Sequence, residues 1–355
     1  MAQVLDAIDL FAGAGGLTLG LKQAGIRTSA AVERDPHCAV TFAAHTPDAD
    51  LYDADIQGVD LSRYRDKFAL VYGGPPCQPF SSGGLRAAAA DGRDMIPTFI
   101  EAIRVIGPHA FLMENVDGLA SSTHRTYFAD TLQAFRYLGY RVTWKVLNAA
   151  DYGVPQKRQR LFVVGMRDRV FVFPAPTHGP GRPRPHIAVR DVLPDVHRPL
   201  GEPPGSRVFY ARNPDLRPSP FDGHLFNGGG RPIDPAQPAR TILASAGGNK
   251  THFFDALDLV PEYHRHLADG GAPRAGTLPG ARRISVAESA VLQTFPPSVA
   301  FAGPRSAQYA QVGNAVPPAL ARALGIALIR QVDEPEMEPR IECQDFAPRQ
   351  LMFQV

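Results

Sequence analysis

The sequence predicts an α/β fold: a Rossmann-like, mostly parallel sheet with helices on both faces, plus a smaller irregular, loop-rich domain. Three observations support this prediction. Apolar runs alternate with helical patterns in the first half of the chain, as in parallel α/β sheets. Proline is concentrated in the middle, where residues 171–280 hold 18 of the 34 prolines. The chain has 355 residues, 44% of them hydrophobic, which is enough for one large domain or two ordinary ones.

The predicted strands are short apolar runs, and the predicted helices carry apolar residues at helical spacing. The strands are Leu5–Leu10, Ser29–Val32, Phe68–Tyr72, Ala110–Met113, Arg141–Leu147 and Leu161–Gly165, with a further strand before Asp55. The helices are Gly16–Ala24, Pro36–His45, Met95–Ile106 and Pro318–Val332. Strand ends therefore fall at Asp9/Leu10, Glu33, Gly73 and Glu114. Ligands of open α/β sheets bind at the carboxyl ends of strands.

The composition divides the chain into four segments. Residues 1–172 form the sheet domain and residues 173–280 the loop-rich domain, which also holds seven of the 11 histidines. Residues 281–332 return to the sheet with the last helix, and residues 333–355 form a tail. The loop-rich domain is more than a linker, because VFYARN, HLFNGGG and ARTILAS suit short strands.

Composition and charge describe a protein of the reducing cytoplasm. No apolar run approaches the roughly 18 residues that a membrane helix needs, and the N-terminus lacks the basic region of a signal peptide. Three cysteines make a disulfide framework implausible. The net charge is only +2, but 32 of the 37 basic residues are Arg. Arginine suits phosphate and guanine contacts; a GC-rich genome is the alternative explanation.

The glycine-rich segment DLFAGAGGLTLGL runs from the first strand into the first helix. Gly13, Gly15 and Gly16 allow a sharp turn and a close approach of a ligand. Glu33 ends the next strand, where a carboxylate can accept hydrogen bonds from ribose hydroxyls. A dinucleotide-binding site is the alternative interpretation, but its G-x-G-x-x-G pattern would need a glycine where this chain has Thr18. A nucleoside ligand without a pyrophosphate fits better, because no Lys or Arg lies beside the glycines.

Cys77 follows a buried strand in VYGGPPCQPFSS. The neighbouring prolines restrict the loop and hold the thiol in one place. A single cysteine is usually a small buried hydrophobe, but a Gly/Pro loop is an unfavourable place to bury one. We therefore expect Cys77 at the mouth of the sheet, as a nucleophile with a basic or hydrogen-bonding neighbour.

Glu114 ends a strand in FLMENVDG, so partial burial should raise its pKa and let it donate a proton to a ring nitrogen. A capping or ion-paired Glu is the alternative. The last apolar strand is preceded by three basic residues, Lys157, Arg158 and Arg160. We expect them either to anchor a phosphate or a base carbonyl, or to form a solvated edge of the strand.

In this order the motifs resemble those of the cytosine-C5 DNA methyltransferases. The matching segments are DLFAGAGG, PPCQPFS, ENV, QKRQR, RRISVAESAVLQTFP (Arg282–Pro296) and QVGNAVPP (Gln311–Pro318). The departures from the usual family pattern are Ile284, Ser285 and Thr294, which affect helix packing rather than chemistry. The resemblance implies the fold of S-adenosylmethionine-dependent methyltransferases. It assigns the sheet domain to catalysis and S-adenosylmethionine binding, and the loop-rich domain to target recognition.

The resemblance also implies residue roles. Cys77 would add to C6 of a flipped cytosine, Glu114 would assist at N3, and Arg160 would contact O2 with Arg158 beside it. The positions that would line the S-adenosylmethionine pocket are Phe11, Gly13, Gly15, Gly16, Glu33, Asp55, Ile56 and Asn314. For Asp55, a solvated loop aspartate is an equally good interpretation. No metal is implied, because no cysteine lies near the histidines of the loop-rich domain.

The implied function is site-specific methylation of cytosine in double-stranded DNA. A cognate restriction endonuclease acting on the same site is an expected partner, without direct contact, and no membrane is involved. Methylation of tRNA is one alternative, and a catalytically silent DNA-binding protein on the same fold is another. Ser81–Arg93 is a candidate loop for closing over DNA, or a passive surface loop.

Overall fold

The computed structural model describes residues 5–77, 94–193 and 195–333. The strands within these residues are β1 (Asp6–Leu10), β2 (Arg27–Glu33), β3 (Asp50–Asp53), β4 (Leu70–Gly73), β5 (Ala110–Val116), β6 (Arg141–Asn148), β7 (Gln156–Lys157), β8 (Gln159–Met166), β9 (Tyr210–Asp215), β10 (His224–Phe226), β11 (Ala239–Arg240), β12 (Phe253–Asp255) and β13 (Ala281–Arg283). The α-helices are α1 (Gly16–Ala24), α2 (Pro36–His45), α3 (Ile96–Ile106), α4 (Arg125–Tyr137), α5 (Val189–Val192), α6 (Leu259–Ala268), α7 (Val286–Leu292), α8 (Arg305–Asn314) and α9 (Pro318–Asp333). The segment Ser81–Arg93 and the tail from residue 334 lie outside the described residues.

Seven strands form one sheet in the order β3-β2-β1-β4-β5-β8-β6. The strands from β3 to β5 run parallel, and β8 is antiparallel to both β5 and β6. The predicted α/β fold with a mostly parallel sheet is confirmed. All six bounded strand predictions correspond to strands of this sheet, and α1 and α2 have the predicted bounds.

The sheet is buried on both faces because alternate residues of each strand point to opposite layers. Val71 and Phe111 pack on one side, in the layer that includes α3 and α4. Tyr72 and Leu112 pack on the other side, in the layer that includes α1 and α9. This double burial holds the carboxyl ends of the parallel strands in fixed positions.

α1 lies directly against α9. A Cβ atom at Gly20 would lie 2.3 Å from the carbonyl oxygen of Pro318 and 2.4 Å from the Cβ of Ala321. A Cβ at Gly16 would lie 2.4 Å from the carbonyl oxygen of Val316. The helices therefore approach more closely than any residue with a side chain would allow.

By length and composition alone, the stretch Arg305–Val332 is apolar enough to cross a membrane. Its second half is the predicted helix Pro318–Val332, which was expected to pack on the sheet. The stretch comprises α8 and α9, and 61% of its most apolar run of 18 residues is buried inside the protein. Leu320 and Leu324 lie in the apolar layer under the sheet, so core packing accounts for the composition.

The middle of the chain is tied to the sheet domain and to the return segment by short ladders. β9 and β10 pair with each other, β11 pairs with β7, and β12 pairs with β13. The short strands predicted in VFYARN, HLFNGGG and ARTILAS are therefore confirmed as β9, β10 and β11. Val208, Phe226 and Tyr263 belong to a separate small core, whereas Ile242 packs with Leu292 of the return segment.

The α1–α9 contact predicts that Gly20→Ala destabilises the fold. Alanine in place of glycine favours an exposed helix by about 1 kcal/mol, but the added methyl would meet backbone atoms that cannot move aside. Overpacking of this kind costs about 1–3 kcal/mol, so we expect a net loss in the free energy of unfolding, measured in urea. Gly58→Ala is the control, because a Cβ there meets nothing within 4 Å. Equal stability of the two variants would contradict the packing argument.

Candidate active site

The glycine-rich turn follows β1 and has an unusual backbone. Phe11, Gly13 and Gly15 have φ angles of 64°, 56° and 77°, in the left-handed region that glycine adopts most readily. The Gly15 N–H donates to the carbonyl of Ala12 at 3.0 Å, and Gly15 is the N-cap of α1 without a side-chain hydrogen bond. The first turn of α1 thus faces the end of the sheet with no side-chain cap.

Glu33 holds this turn in place from the end of β2. Its Oε2 accepts the Gly13 N–H at 2.6 Å, and its Oε1 accepts the Asp35 N–H at 2.7 Å. Burial raises the pKa of the Glu33 carboxyl, and the backbone N–H donors oppose that shift. Each carboxylate oxygen retains a lone pair for a further donor.

A buried hydrogen-bond network supports the turn from below. The Thr18 hydroxyl donates to Asp9 Oδ2 at 2.5 Å and lies 2.8 Å from the Tyr72 hydroxyl, which also contacts Thr28 at 2.6 Å. Burial raises the pKa of Asp9 well above its usual range, and the Thr18 bond counteracts this only in part. The network joins β1, β2, β4 and α1 beneath the site.

The other predicted pocket residues lie near this edge in different settings. Asp55 accepts the Gln57 N–H at 3.0 Å and forms an exposed ion pair with Arg34 at 3.3 Å. Ile56 is buried, and Asn314 is exposed at the end of α8. Asn314 precedes Ala315, whose Cβ would lie 3.0 Å from a Cβ on Gly16. The structure thus brings the start of α1 and the end of α8 together.

Cys77 lies in a loop that is clamped on both sides. The Asn115 side chain donates to the Pro75 carbonyl at 3.0 Å, and the Met95 N–H donates to the Pro76 carbonyl at 2.9 Å. Cys77 itself forms an antiparallel bridge with Asp94. The expectation of an exposed thiol is wrong, since only 6% of Cys77 is accessible. The loop packs between the end of β5 and the start of α3, which the prolines alone do not reveal.

Among the residues that the structure describes, the charged neighbour of the Cys77 thiol is the Asp94 carboxylate rather than a basic side chain. Burial raises the pKa of the Cys77 thiol strongly, and the nearby Asp94 carboxylate raises it further. Asp94 also accepts a hydrogen bond from the Tyr127 hydroxyl and one from the Ile96 N–H at 3.1 Å. Burial and the Asp94 carboxylate therefore both favour the neutral form of the Cys77 thiol.

Glu114 lies beside this loop and is paired with Arg160. Arg160 Nε is 2.9 Å from Glu114 Oε1, and both side chains are largely buried. A Cβ on Gly74 would lie 3.0 Å from Glu114 Oε2. Burial raises the pKa of Glu114, as expected, while Arg160 and Arg158 oppose the shift. The carboxyl group thus combines a raised pKa with a cation that orients it.

Arg158 is fully buried and points elsewhere. Its Nη1 donates to the Ile242 carbonyl at 3.2 Å, and its Nη2 donates to the Gly313 carbonyl at 2.7 Å. Its Nε has no hydrogen-bond partner, and burial lowers the pKa of the guanidinium. Arg158 lies just before β8, which begins at Gln159. Its side chain therefore points in a different direction from that of Arg160. It joins three segments of the chain next to the Glu114–Arg160 pair.

A cavity of about 680 Å³ adjoins the start of β8, on the side of the loop-rich domain. Its basic lining residues are Lys157, Arg231 and Arg240. Arg240 pairs with Asp222, and both side chains are about half exposed. These cations therefore remain accessible to an anionic ligand.

His252 lies in the wall of this cavity and is buried. Its Nδ1 accepts the Arg231 N–H at 3.0 Å, and its Nε2 donates to the Thr241 carbonyl at 3.1 Å. Burial lowers the pKa of His252 to about 4. The neutral ring thus ties together the two segments that carry Arg231 and Arg240. Within the described ranges, no group of three or more His, Cys, Asp or Glu residues is placed to hold a metal ion.

The structure brings Cys77, Glu114 and Arg160 to one edge of the sheet, beside the glycine-rich turn and Glu33. Sequence reasoning missed Asp94 and Tyr127. The only signal for Asp94 was its position just before a predicted helix, where aspartate is a common cap. Tyr127 lies on α4, which the sequence analysis did not bound, so nothing connected it to Cys77.

A family model of C-5 cytosine-specific DNA methylases matches residues 5–199 and 233–330. Type II methyltransferase M1.HphI of Haemophilus parahaemolyticus is 34% identical over 345 residues, covering 92% of this chain and 87% of the relative. Type II methyltransferase M.XorII of Xanthomonas oryzae is 33% identical, covering 94% and 86%. Among solved structures, the S. pombe Dnmt2 methyltransferase superimposes with a TM-score of 0.65 at 15% identity, covering 94% of this chain and 100% of that one. That likeness confirms the fold alone.

The bonds of His252 predict acid-sensitive stability. The unfolded ring has an ordinary pKa near 6.5, whereas the folded pKa is about 4. The stabilisation is therefore complete above pH 6.5, and up to about 3 kcal/mol is lost as the pH falls toward 4. His252→Asn should cost about 2 kcal/mol at pH 7.5 and progressively less toward pH 4.5, measured by urea unfolding. The exposed His197→Asn is the control; a pH-independent gap between wild type and His252→Asn would refute the assignment.

Proposed function

The chain belongs to the family of C-5 cytosine-specific DNA methylases, and we propose on this basis that it is a site-specific DNA (cytosine-5-)-methyltransferase. C5 of cytosine is a poor nucleophile, so the reaction needs a group that adds to C6 and a group that protonates N3. The observation that carries the proposal is the Cys77 loop, clamped beside the Glu114–Arg160 pair. This edge of the sheet also holds the glycine-rich turn.

Cys77 is the nucleophile of the proposed reaction. The target cytosine leaves the duplex, which costs a few kcal/mol. The Cys77 thiol loses its proton to water and Sγ bonds to C6, while N3 takes a proton from Glu114. The electron pair of the C5–C6 double bond is then available at C5, which becomes nucleophilic enough to accept the methyl group. Loss of the C5 proton after methylation restores the double bond, and the Sγ–C6 bond breaks. The backbone bonds at Pro75 and Pro76 support this role, because a fixed sulfur lowers the entropy cost of reaching C6.

Glu114 holds a proton at N3 of the cytosine. Burial raises the pKa of the Glu114 carboxyl, which favours its acting as a proton donor, and protonation of N3 neutralises the charge that builds up in the ring when sulfur adds. Arg160 orients Glu114 and contacts O2 of the base. Arg158, by contrast, supports the site from its buried position between the carbonyls of Ile242 and Gly313.

S-adenosylmethionine fits the residues at the carboxyl ends of β1 to β3. When bound, it supplies the methyl group that C5 accepts. Glu33 has lone pairs left for the ribose hydroxyls, and a Cβ at Gly13 would meet nothing within 4 Å. The uncapped first turn of α1 suits a carboxylate, because free N–H groups and the helix dipole attract anions. Asp55 and Ile56 would contact the adenine, while Phe11 and Asn314 complete the walls.

Double-stranded DNA is the proposed substrate, and residues 173–280 form the target-recognition domain. The cavity lined by Lys157, Arg231 and Arg240 adjoins the start of β8, the strand that carries Arg160. Residues 200–232, which include Arg231, are left unmatched by the family model, as expected for the part that determines which sequence is read. Arginine side chains there suit guanine edges and phosphates. Residues 1–172 and 281–332 would form the catalytic unit.

The biological role that we propose is protection of host DNA in the cytoplasm. The relatives are named type II methyltransferases, which supports a restriction-modification role with an endonuclease of the same specificity. Direct contact with that endonuclease is not required. Methylation of tRNA is the alternative, and comparing tRNA with duplex DNA as methyl acceptors decides between them. A stable adduct with DNA containing 5-fluorocytosine would exclude a catalytically silent binder.

Cys77→Ala should reduce transfer of tritiated methyl groups from S-adenosylmethionine to duplex DNA by at least about three orders of magnitude, because the substitution removes the sulfur that adds to C6. Cys38→Ala is the matched control, since Cys38 lies on α2 and its loss should leave transfer intact. Transfer by Cys77→Ala would refute the covalent mechanism. No transfer by the wild type to mixed-sequence DNA would refute the function.

Arg240→Ala should weaken binding of duplex DNA about tenfold, since one arginine contact is worth about 1–3 kcal/mol. Fluorescence anisotropy at several salt concentrations measures the loss. A smaller salt slope would identify a phosphate contact, and relaxed specificity a base contact. Arg104→Ala is the control, because Arg104 is similarly exposed and paired, with Glu101 on α3. Equal DNA binding by both variants would show that DNA binds at a surface other than this cavity.

A further inference from the structure

The Cys77 thiol belongs to a small cluster whose other members, Asp94 and Tyr127, have no assigned role in the proposed reaction. Cys77 bridges to Asp94 through the backbone, and the Asp94 carboxylate lies close enough to raise the pKa of the thiol. On the other side, Asp94 accepts a hydrogen bond from the Tyr127 hydroxyl of α4. The cluster is inside the protein, since Cys77 is 6% accessible.

The position of Asp94 is fixed independently of the thiol. Its Oδ1 accepts the Ile96 N–H at 3.1 Å at the start of α3. The adjoining Met95 N–H donates to the Pro76 carbonyl at 2.9 Å. The carboxylate therefore cannot rotate away without losing its bonds to the Ile96 N–H and the Tyr127 hydroxyl.

Among the described residues, the other charged groups near this loop are Glu114 and Arg160, which pair with each other. Glu114, at the end of β5, bonds to Arg160 of β8 at 2.9 Å. Within the same described part of the chain, the polar groups next to the thiol are the Asp94 carboxylate and the Tyr127 hydroxyl, with the Glu114–Arg160 pair beyond Gly74. A carboxylate that accepts the S–H bond stabilises the thiol over the thiolate.

We propose that Asp94 is a positioning residue that keeps Cys77 as a neutral thiol in the DNA-free protein and so limits its reaction with small electrophiles. The inference rests on the proposed function only for the role of Cys77 as the nucleophile. A protonated sulfur resists alkylation and oxidation, because the thiolate is the reactive form. The protein would thereby preserve its nucleophile until a cytosine is bound.

Alkylation of the DNA-free protein by iodoacetamide tests the proposal, followed for each cysteine peptide by mass spectrometry from pH 6 to 10. Asp94→Asn keeps an oxygen to accept the Ile96 N–H but removes the charge. We expect its pH profile for Cys77 to move to lower pH, with about tenfold faster alkylation at pH 7.5 for a shift of one pKa unit. Cys38, on α2, is the internal reference and should not change.

Tyr127→Phe is the second variant and should act in the opposite direction. Without the Tyr127 hydroxyl, Asp94 becomes a stronger acceptor for the thiol, so Cys77 should react more slowly than in the wild type. An unchanged or slower Cys77 rate in Asp94→Asn would overturn the proposal. If Asp94→Asn does not fold, an unchanged or faster rate in Tyr127→Phe would overturn it. Neither measurement uses DNA or a methyl donor, so failure here is distinct from failure of the proposed function.

Discussion

The structure of the site depends on the contact between the ends of β1 and β4. Leu10 lies opposite Gly73 in the parallel ladder, and a Cβ at residue 73 would lie 1.8 Å from the Leu10 carbonyl oxygen. Only glycine lets the two strands stay paired to their ends. The glycine-rich turn and the Cys77 loop begin just after these two residues. A methyl donor held by the turn, as proposed, would thereby lie beside the proposed nucleophile.

The same edge of the sheet carries most of the buried charge around the site. Glu114, Arg160 and Arg158 lie within or beside the apolar layers, and removing such groups from water costs several kcal/mol each. Pairing and backbone carbonyls offset only part of that cost. The two apolar layers supply the remaining stability, so the sheet supports an edge that would be unfavourable by itself. The raised pKa of the Glu114 carboxyl is a consequence of the same burial.

The loop-rich domain is connected to this edge by buried polar side chains. Gln156 accepts the Ile242 N–H at 2.9 Å and donates to Gln293 at 2.9 Å, and Arg158 reaches Ile242 and Gly313. These bonds link the sheet, the middle of the chain and the return segment within a few residues of Arg160. Binding of DNA to the middle segment would therefore act directly on the strand that orients Glu114.

By itself, the sequence determined the alternation of strands and helices, the glycine-rich turn, and the candidate roles of Cys77, Glu114 and Glu33. These features depend on local periodicity and on the chemistry of single residues, so they can be read along the chain. Only the tertiary structure decided that Cys77 is buried against Asp94 and Tyr127, and that Arg158 and Arg160 point to different partners. Such contacts join residues that are distant along the chain, and they depend on how α3, α4 and the return segment pack on the sheet. Hydrophobic spacing indicates which face of an element is buried, but not which polar side chain meets it there.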